Sequence, residues 1–83
     1  MLCFFNVAGA VYDPDVEGIE MASIDDARIE AARFAGELIR DQPHLARAGE
    51  EIRVEVTDAH QLILFTIMML GVDAPATPSG SWG

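Results

Sequence analysis

The longest helical pattern in the chain spans residues 23–41, where apolar side chains recur every three or four positions. Ser23 and the two aspartates that follow Ile24 form a capping signal, because the serine oxygen accepts a backbone N–H and the carboxylates complement the helix dipole. Pro43 disfavours helical geometry at the preceding residue, so we expect the helix to end there. One face of this helix is apolar and predicts packing on a sheet. Its members are Ile24, Ala27, Ala31, Phe34, Ala35 and Leu38.

Strand patterns lie on both sides of the predicted helix. Residues 2–7 are rich in aromatic and β-favouring side chains, and the apolar pair at 11–12 follows a turn at Gly9, which predicts a β-hairpin. Residues 52–57 alternate between apolar and polar side chains, as in a strand with one wet face. Residues 62–70 form an apolar run. The run is too short for a helix that spans a bilayer, which needs about 20 residues. An apolar run of this length between turn signals predicts a buried strand.

These patterns predict an α+β fold of ββαββ order, in which a four-stranded sheet of two hairpins carries one long helix on one face. Residues 1–70 are assigned to a single small domain. Residues 71–83 are predicted to be a flexible tail, because they consist mainly of small residues, proline and glycine. Trp82 is the large aromatic residue of this tail, and its role is left open.

The first and last predicted strands carry apolar side chains on both faces, whereas one helix covers one face of a sheet. A domain of 83 residues is too small to be strongly stable by itself, since such domains bury only about 60% of the surface that the unfolded chain exposes. The single cysteine excludes an internal disulfide, and the two histidines lack zinc-ligand spacing. We therefore expect a homodimer in which a second copy covers the sheet. The self-association face is assigned to Leu2, Phe4, Ile63, Phe65, Ile67 and Met69.

The charge of the chain narrows the choice of partners. Fourteen aspartates and glutamates against five arginines give a formal net charge of −9. Such a field repels nucleic acids and anionic membrane surfaces, so neither is an expected partner. It attracts a basic protein, which is the alternative to a second copy of the chain.

No basic segment precedes the apolar residues at the amino terminus, and we therefore expect a cytoplasmic protein without a secretory signal.

No catalytic, cofactor-binding or metal-binding residue is predicted. Cys3 lies among aromatic residues in a strand, which predicts a buried, unreactive thiol. Asp58 and His60 lie two residues apart in a turn and form the acid–base pair that the sequence offers, but no nucleophile lies beside them. Phosphate-binding loops, metal-ligand spacings and catalytic triads do not occur in the sequence. We expect a protein that is not an enzyme, and a small enzyme using Asp58 and His60 is the alternative.

Four segments together resemble a family of short uncharacterised bacterial proteins classed as a domain of unknown function. This resemblance covers residues 2–70, implies a ββαββ fold and implies no activity. The turn at residues 58–61 departs from the family, which commonly has a glycine there. The four segments are Cys-Phe-Phe-Asn-Val at 3–7, the turn at 13–18 that leads into Ile-Glu, Ala-Arg-Ile-Glu-Ala-Ala in the helix, and Ile-Arg-Val-Glu-Val-Thr-Asp at 52–58.

Two functional hypotheses follow from these observations. The preferred hypothesis is a small noncatalytic protein-interaction module that self-associates through its sheet. The alternative is an antitoxin-type protein that neutralises a basic partner, since the hairpin, acidic loop and helix are partly similar to HicB-like antitoxins and the net charge is −9. The proline-rich motif of those antitoxins is missing from the loop.

Overall fold

The computed structural model describes residues 1–47 and 49–78. Its four strands form one sheet in the order β2-β1-β3-β4, and neighbouring strands are antiparallel. The predicted α+β fold of ββαββ order is confirmed, with the two hairpins joined side by side through β1 and β3. In chain order the elements are β1 (Leu2–Gly9), β2 (Ile19–Glu20), α1 (Ile24–Asp41), a 3-10 turn (Pro43–Ala46), β3 (Glu51–Thr57) and β4 (Ile63–Leu70).

The helix α1 begins and ends where the sequence predicts. The Ser23 hydroxyl accepts a hydrogen bond from the backbone N–H of Asp26 at 3.1 Å, which satisfies one of the free donors of the first turn. At the other end the N–H of Gln42 donates to the carbonyl of Leu38, and Pro43 follows. The helix therefore stops because proline disfavours helical geometry at the residue before it.

The core lies between α1 and the sheet. Three alanines on successive turns of α1, Ala27, Ala31 and Ala35, are at most 3% exposed, and their small size lets the helix approach the sheet closely. Leu45 of the 3-10 turn closes one end of this core. Each fully buried valine or isoleucine stabilises the fold by about 1.5–3 kcal/mol. The buried side chains that β1 and β3 contribute to this core are Cys3, Phe5, Val7, Ile52, Val54 and Val56.

The second strand lies at Ile19–Glu20 and not at residues 11–12, where the sequence predicts it. The turn at Gly9 does form, with a φ of 96°, and the chain then turns back along β1 through a single isolated bridge. Tyr12 is 77% exposed, so its side chain contributes nothing to the core. The prediction was wrong because two apolar residues are too few to fix a strand by local propensity, which tertiary contacts readily override.

Residues 71–78 follow β4 as the beginning of the predicted tail. The N–H of Gly49 donates to the carbonyl of Gly71 at 3.1 Å, and the N–H of Thr77 donates to the carbonyl of Ala74 at 3.0 Å. Trp82 lies outside the described residues. The flexibility of the tail and the domain boundary at residue 70 stay predictions.

Replacing Gly9 by alanine is expected to destabilise the fold by at least about 1 kcal/mol, because alanine is strained at a positive φ and its Cβ would meet the carbonyl oxygen of Glu51. Gly36 is the matched control. It lies in α1, where an added Cβ would meet open space, and Gly36→Ala should stabilise the helix by about 0.5–1 kcal/mol. Urea unfolding followed by circular dichroism measures both changes, and equal effects of the two substitutions would contradict this account of the turn.

Candidate interaction surface

The sheet has one face against α1 and one face turned away from it, which we call the far face. Alternate residues of a strand point to opposite faces, and the pairing register therefore places each side chain. The far face has a polar centre on β3 and two margins, one on β1 and one on β4. Its side chains are Leu2, Phe4, Asn6 and Ala8 on β1, Glu51, Arg53, Glu55 and Thr57 on β3, and Ile63, Thr66, Met68 and Leu70 on β4.

Arg53 organises the polar centre of the far face. Its guanidinium donates to the carboxylate of Glu51 and, at 3.2 Å, to that of Glu55, and all three side chains are partly buried. The hydrogen bond to Glu51 raises the pKa of Arg53 further above its already high ordinary value. At the centre of the far face, two glutamates are therefore paired with one arginine, which leaves one negative charge uncompensated.

The margin of the far face on β4 is apolar and strongly exposed. Ile63 is 59% exposed, Met68 is 56% exposed and Leu70 is 54% exposed. On the β1 margin Leu2 is 37% exposed and Phe4 is half-buried. The β1 margin is better covered because both side chains pack beside Gly18, where a Cβ would lie 3.0 Å from the Phe4 ring. The largest exposed apolar surface of the far face is therefore on β4.

The six residues predicted to share a self-association face do not all lie on one face. Phe65, Ile67 and Met69 pack against the core on the helix side, whereas Leu2, Phe4 and Ile63 lie on the far face. The reason is a register shift opposite the step from Val56 to Thr57, which places an extra residue between Ile63 and Phe65. Strict alternation along the sequence assigned Ile63 to the same face as Phe65, and the irregularity reverses this assignment. Sequence reasoning also left Met68 and Leu70 out of this surface.

The acidic loop between β1 and β2 is held to the edge of β1 by the carboxylate of Asp15. One oxygen accepts the N–H of Phe5 at 3.1 Å, and the other accepts the N–H groups of Glu17 at 3.0 Å and Gly18 at 3.1 Å. The N–H of Asp15 donates to the side-chain oxygen of Asn6 at 2.9 Å. The Asp15 side chain thereby takes the place of a partner strand along this part of β1.

These contacts determine the charge state of Asp15. Burial by itself would raise the pKa of this carboxyl, but the backbone N–H groups of Gly18, Phe5 and Glu17 outweigh burial and hold the pKa below its ordinary value of 3.8. The sequence indicated a turn here. The signal for a structural role was the spacing of Asp15 from Gly18, which is typical of a side-chain-closed turn.

Two grooves lie beside this loop. One, of about 340 Å³, is between the loop and α1; Phe5 and Phe34 line it, and five carboxylates surround it. The other, of about 600 Å³, is on the far face and is lined by side chains that include Phe4, Asn6 and Ile63. The carboxylates of the first groove belong to Asp13, Asp15, Glu17, Glu30 and Glu37.

The residues that the sequence offered for chemistry are placed in structural roles. Cys3 is fully buried, and burial raises the pKa of its thiol above the ordinary value. One oxygen of Asp58 accepts the backbone N–H groups of His60 at 2.8 Å and Leu62 at 3.1 Å, which closes the turn in which Gln61 has a φ of 63°. The His60 residue is exposed, and the hydrogen bond that joins it to Asp58 comes from its backbone. The geometry thus shows a turn at this site in place of a side-chain acid–base pair.

Metal-ion and membrane-spanning features are both missing from residues 1–47 and 49–78. No group of three or more histidine, cysteine, aspartate or glutamate side chains is arranged to hold a metal ion in this part of the chain. No helix there has the length and apolar character required to cross a membrane. The cytoplasmic location inferred from the sequence stays a prediction.

Residues 2–71 match the family described as Domain of unknown function (DUF6894). The chain belongs to this family. The match includes α1 and all four strands of the described sheet, so the family domain is the fold presented above. No curated protein and no solved structure matches the chain. The resemblance to a family of unknown function is confirmed, its bacterial origin stays a prediction, and the similarity to HicB-like antitoxins has no support from these comparisons.

Replacing Asp15 by asparagine is expected to destabilise the protein by about 1–3 kcal/mol at neutral pH, because an amide N–H₂ would face an N–H donor of the backbone. The lowered pKa of Asp15 means that its stabilising effect is fully present above the ordinary value of 3.8 and is lost as the pH falls through the lower, folded-state value. The stability difference between the native protein and Asp15→Asn should therefore narrow below pH 3.8.

Asp13→Asn is the control for this substitution. Asp13 lies in the same loop, and replacing it by asparagine removes the same charge. It should change the free energy of unfolding by no more than about 0.5 kcal/mol at neutral pH. Urea unfolding at neutral pH and at pH values on both sides of the ordinary value measures the difference. Equal stability of the two variants, or a gap that widens in acid, would show that Asp15 does not hold the loop.

Proposed function

We propose that this protein is a small noncatalytic protein-interaction module that self-associates through its sheet. The observation that supports the proposal is the exposure of Ile63, Met68 and Leu70, each more than half exposed, on the β4 margin of the far face. On the other side of the sheet α1 covers the central strands. Large exposed apolar patches on small proteins commonly mark interaction sites.

The size and charge of the chain support a second copy as the partner. A domain this small gains stability from association, because its own core is limited. Two copies that each carry a net charge of −9 repel one another, so they must meet at a surface that adds little negative charge. β4 contains no charged residue, and the neighbouring glutamates of β3 are paired with Arg53. The β4 side of the sheet meets this requirement.

The noncatalytic part of the proposal is supported by the roles of the polar groups. The carboxylates of Asp15 and Asp58 accept hydrogen bonds from the backbone, and Arg53 is occupied by two glutamates. The thiol of Cys3 is buried. These four groups, which a catalytic site could draw upon, are buried or engaged in holding the fold.

A basic protein segment is the second candidate partner, and the acid-rimmed groove between the loop and α1 favours it. Phe5 and Phe34 offer an apolar floor, and the carboxylates around it would attract an arginine or lysine side chain. An arginine-rich peptide should perturb the NMR signals of this groove, and Glu37→Gln should weaken its binding more than Glu50→Gln, which removes the same charge elsewhere. Equal weakening by both variants would show that the peptide responds to the net charge of the protein and not to this groove.

Light scattering at micromolar concentration tests self-association directly, and the expected mass is about twice the 9.0 kDa of one chain. Met68→Glu should shift the protein toward the monomer, because it would bury an unpaired charge in the interface. Ile29→Glu is the matched control, since Ile29 is 59% exposed on α1, away from the sheet. A native protein that is a clean monomer, or equal dissociation by both variants, would contradict the proposed function.

A further inference from the structure

The direction of the backbone groups on β4 follows from the hydrogen bonds of β1. Val7 exchanges two hydrogen bonds with Asp13, and the N–H of Phe5 donates to Asp15, so odd-numbered residues of β1 point their backbone groups away from β3. These directions alternate along an antiparallel strand. The even-numbered residues of β1 therefore bond to β3, and Val54, which lies opposite an odd-numbered residue of β1, points its backbone groups toward β4.

The same alternation assigns the backbone groups of β4. Val54 lies opposite Ile67 in the register, so Ile67 hydrogen-bonds to β3. Thr66 and Met68 flank Ile67, and their N–H and C=O groups consequently point outward from the sheet. Over residues 1–47 and 49–78, no group outside the β3–β4 ladder accepts a hydrogen bond from the N–H of Thr66 or Met68. Within the described part of the chain, the outer edge of β4 is therefore a row of donors and acceptors without partners.

Among the described residues, this edge has few of the features that usually protect an edge strand from pairing. The eight residues of β4, ILFTIMML, include no charged residue and no proline. The register shift lies near one end of the strand and leaves Phe65 to Leu70 in regular pairing with β3. The opposite edge of the sheet is different, because β2 and the Asp15 carboxylate cover the outer side of β1.

Side chains are exposed on both faces of β4. Met68 and Leu70 on the far face are more than half exposed, and Phe65, Ile67 and Met69 on the helix side are only partly buried although they pack against the core. A partner laid on the far face would cover the first set and leave the second as it is. A strand added to the edge would cover both sets at once.

We propose that β4 pairs antiparallel with β4 of a second copy of this chain, giving one continuous sheet with four strands from each copy. The register is centred on Ile67, so that Thr66 exchanges backbone hydrogen bonds with Met68 of the second copy. This inference rests on the proposed function, because it specifies how the module self-associates.

The second copy is the occupant that the sequence of β4 fits. An antiparallel pair of identical strands is related by a two-fold axis, so each surface meets itself and the assembly closes as a dimer. In the register centred on Ile67, this residue faces its own copy, and Phe65 faces Met69 of the second copy. Apolar and aromatic cross-strand pairs of this kind stabilise a sheet. The absence of charge on β4 keeps like charges out of the seam.

Amide hydrogen exchange, measured by NMR at a concentration where light scattering shows the dimer, tests the pairing of β4 with β4 of the second copy directly. The N–H groups of Thr66 and Met68 should exchange at least about tenfold more slowly than exposed amides, because they would donate to the second copy. Thr66→Pro removes one outward donor at an edge position that tolerates proline, and it should give a folded monomer. Thr66→Val keeps the N–H and should stay dimeric.

The outcomes separate this inference from the proposed function. A monomeric native protein overturns both. A dimer in which the amides of Thr66 and Met68 exchange at the rate of exposed amides overturns the edge pairing and leaves self-association through the far face. A Thr66→Pro variant that is folded and dimeric would also overturn the edge pairing and leave self-association through the far face. If Thr66→Pro does not fold, the exchange rates in the native protein decide the question.

Discussion

One helix has to cover a four-stranded sheet, and the close packing of α1 on the two central strands is the contact on which the rest of the structure depends. The buried alanines of α1 pack with inward side chains of β1 and β3, which are almost inaccessible to solvent. This arrangement concentrates burial at the centre of the sheet. The edges receive less, which is visible in the partly buried Phe65, Ile67 and Met69 on β4.

The two edges of the sheet differ in how their outer backbone groups are covered. Beyond β1 the partner strand β2 is two residues long, and the remaining length is covered by a loop whose Asp15 carboxylate accepts three backbone N–H groups. A side chain here takes the place of a strand, and its hydrogen bonds hold the loop against β1. On the other side β4 is eight residues long and has no such cover among the described residues. This asymmetry points to β4 when a surface for association is sought.

The acidic character of the chain has a structural side that the net charge alone does not reveal. Asp15 and Asp58 each accept several backbone N–H groups in turns, and Glu51 and Glu55 hold Arg53 on the far face. Charge-assisted hydrogen bonds of this kind are stronger than neutral ones. Side chains that would suggest acid–base chemistry in the sequence therefore stabilise turns and strands. Other carboxylates contribute to the negative field of the protein, among them the four that line the groove beside Phe34 together with Asp15.

The sequence by itself determined the helix, the α+β class and the order of the elements, because signals such as Ser23, Pro43 and the alternation of β3 act within a few residues. Tertiary structure alone decided the position of β2, the contact of Asp15 with Phe5 and the face on which Ile63 lies. Each depends on the register between segments that are distant in the sequence, and the shift beside Thr57 turns Ile63 away from the helix. A run of apolar residues contains no periodic signal of such a shift, because both faces look alike until a neighbouring strand sets them apart.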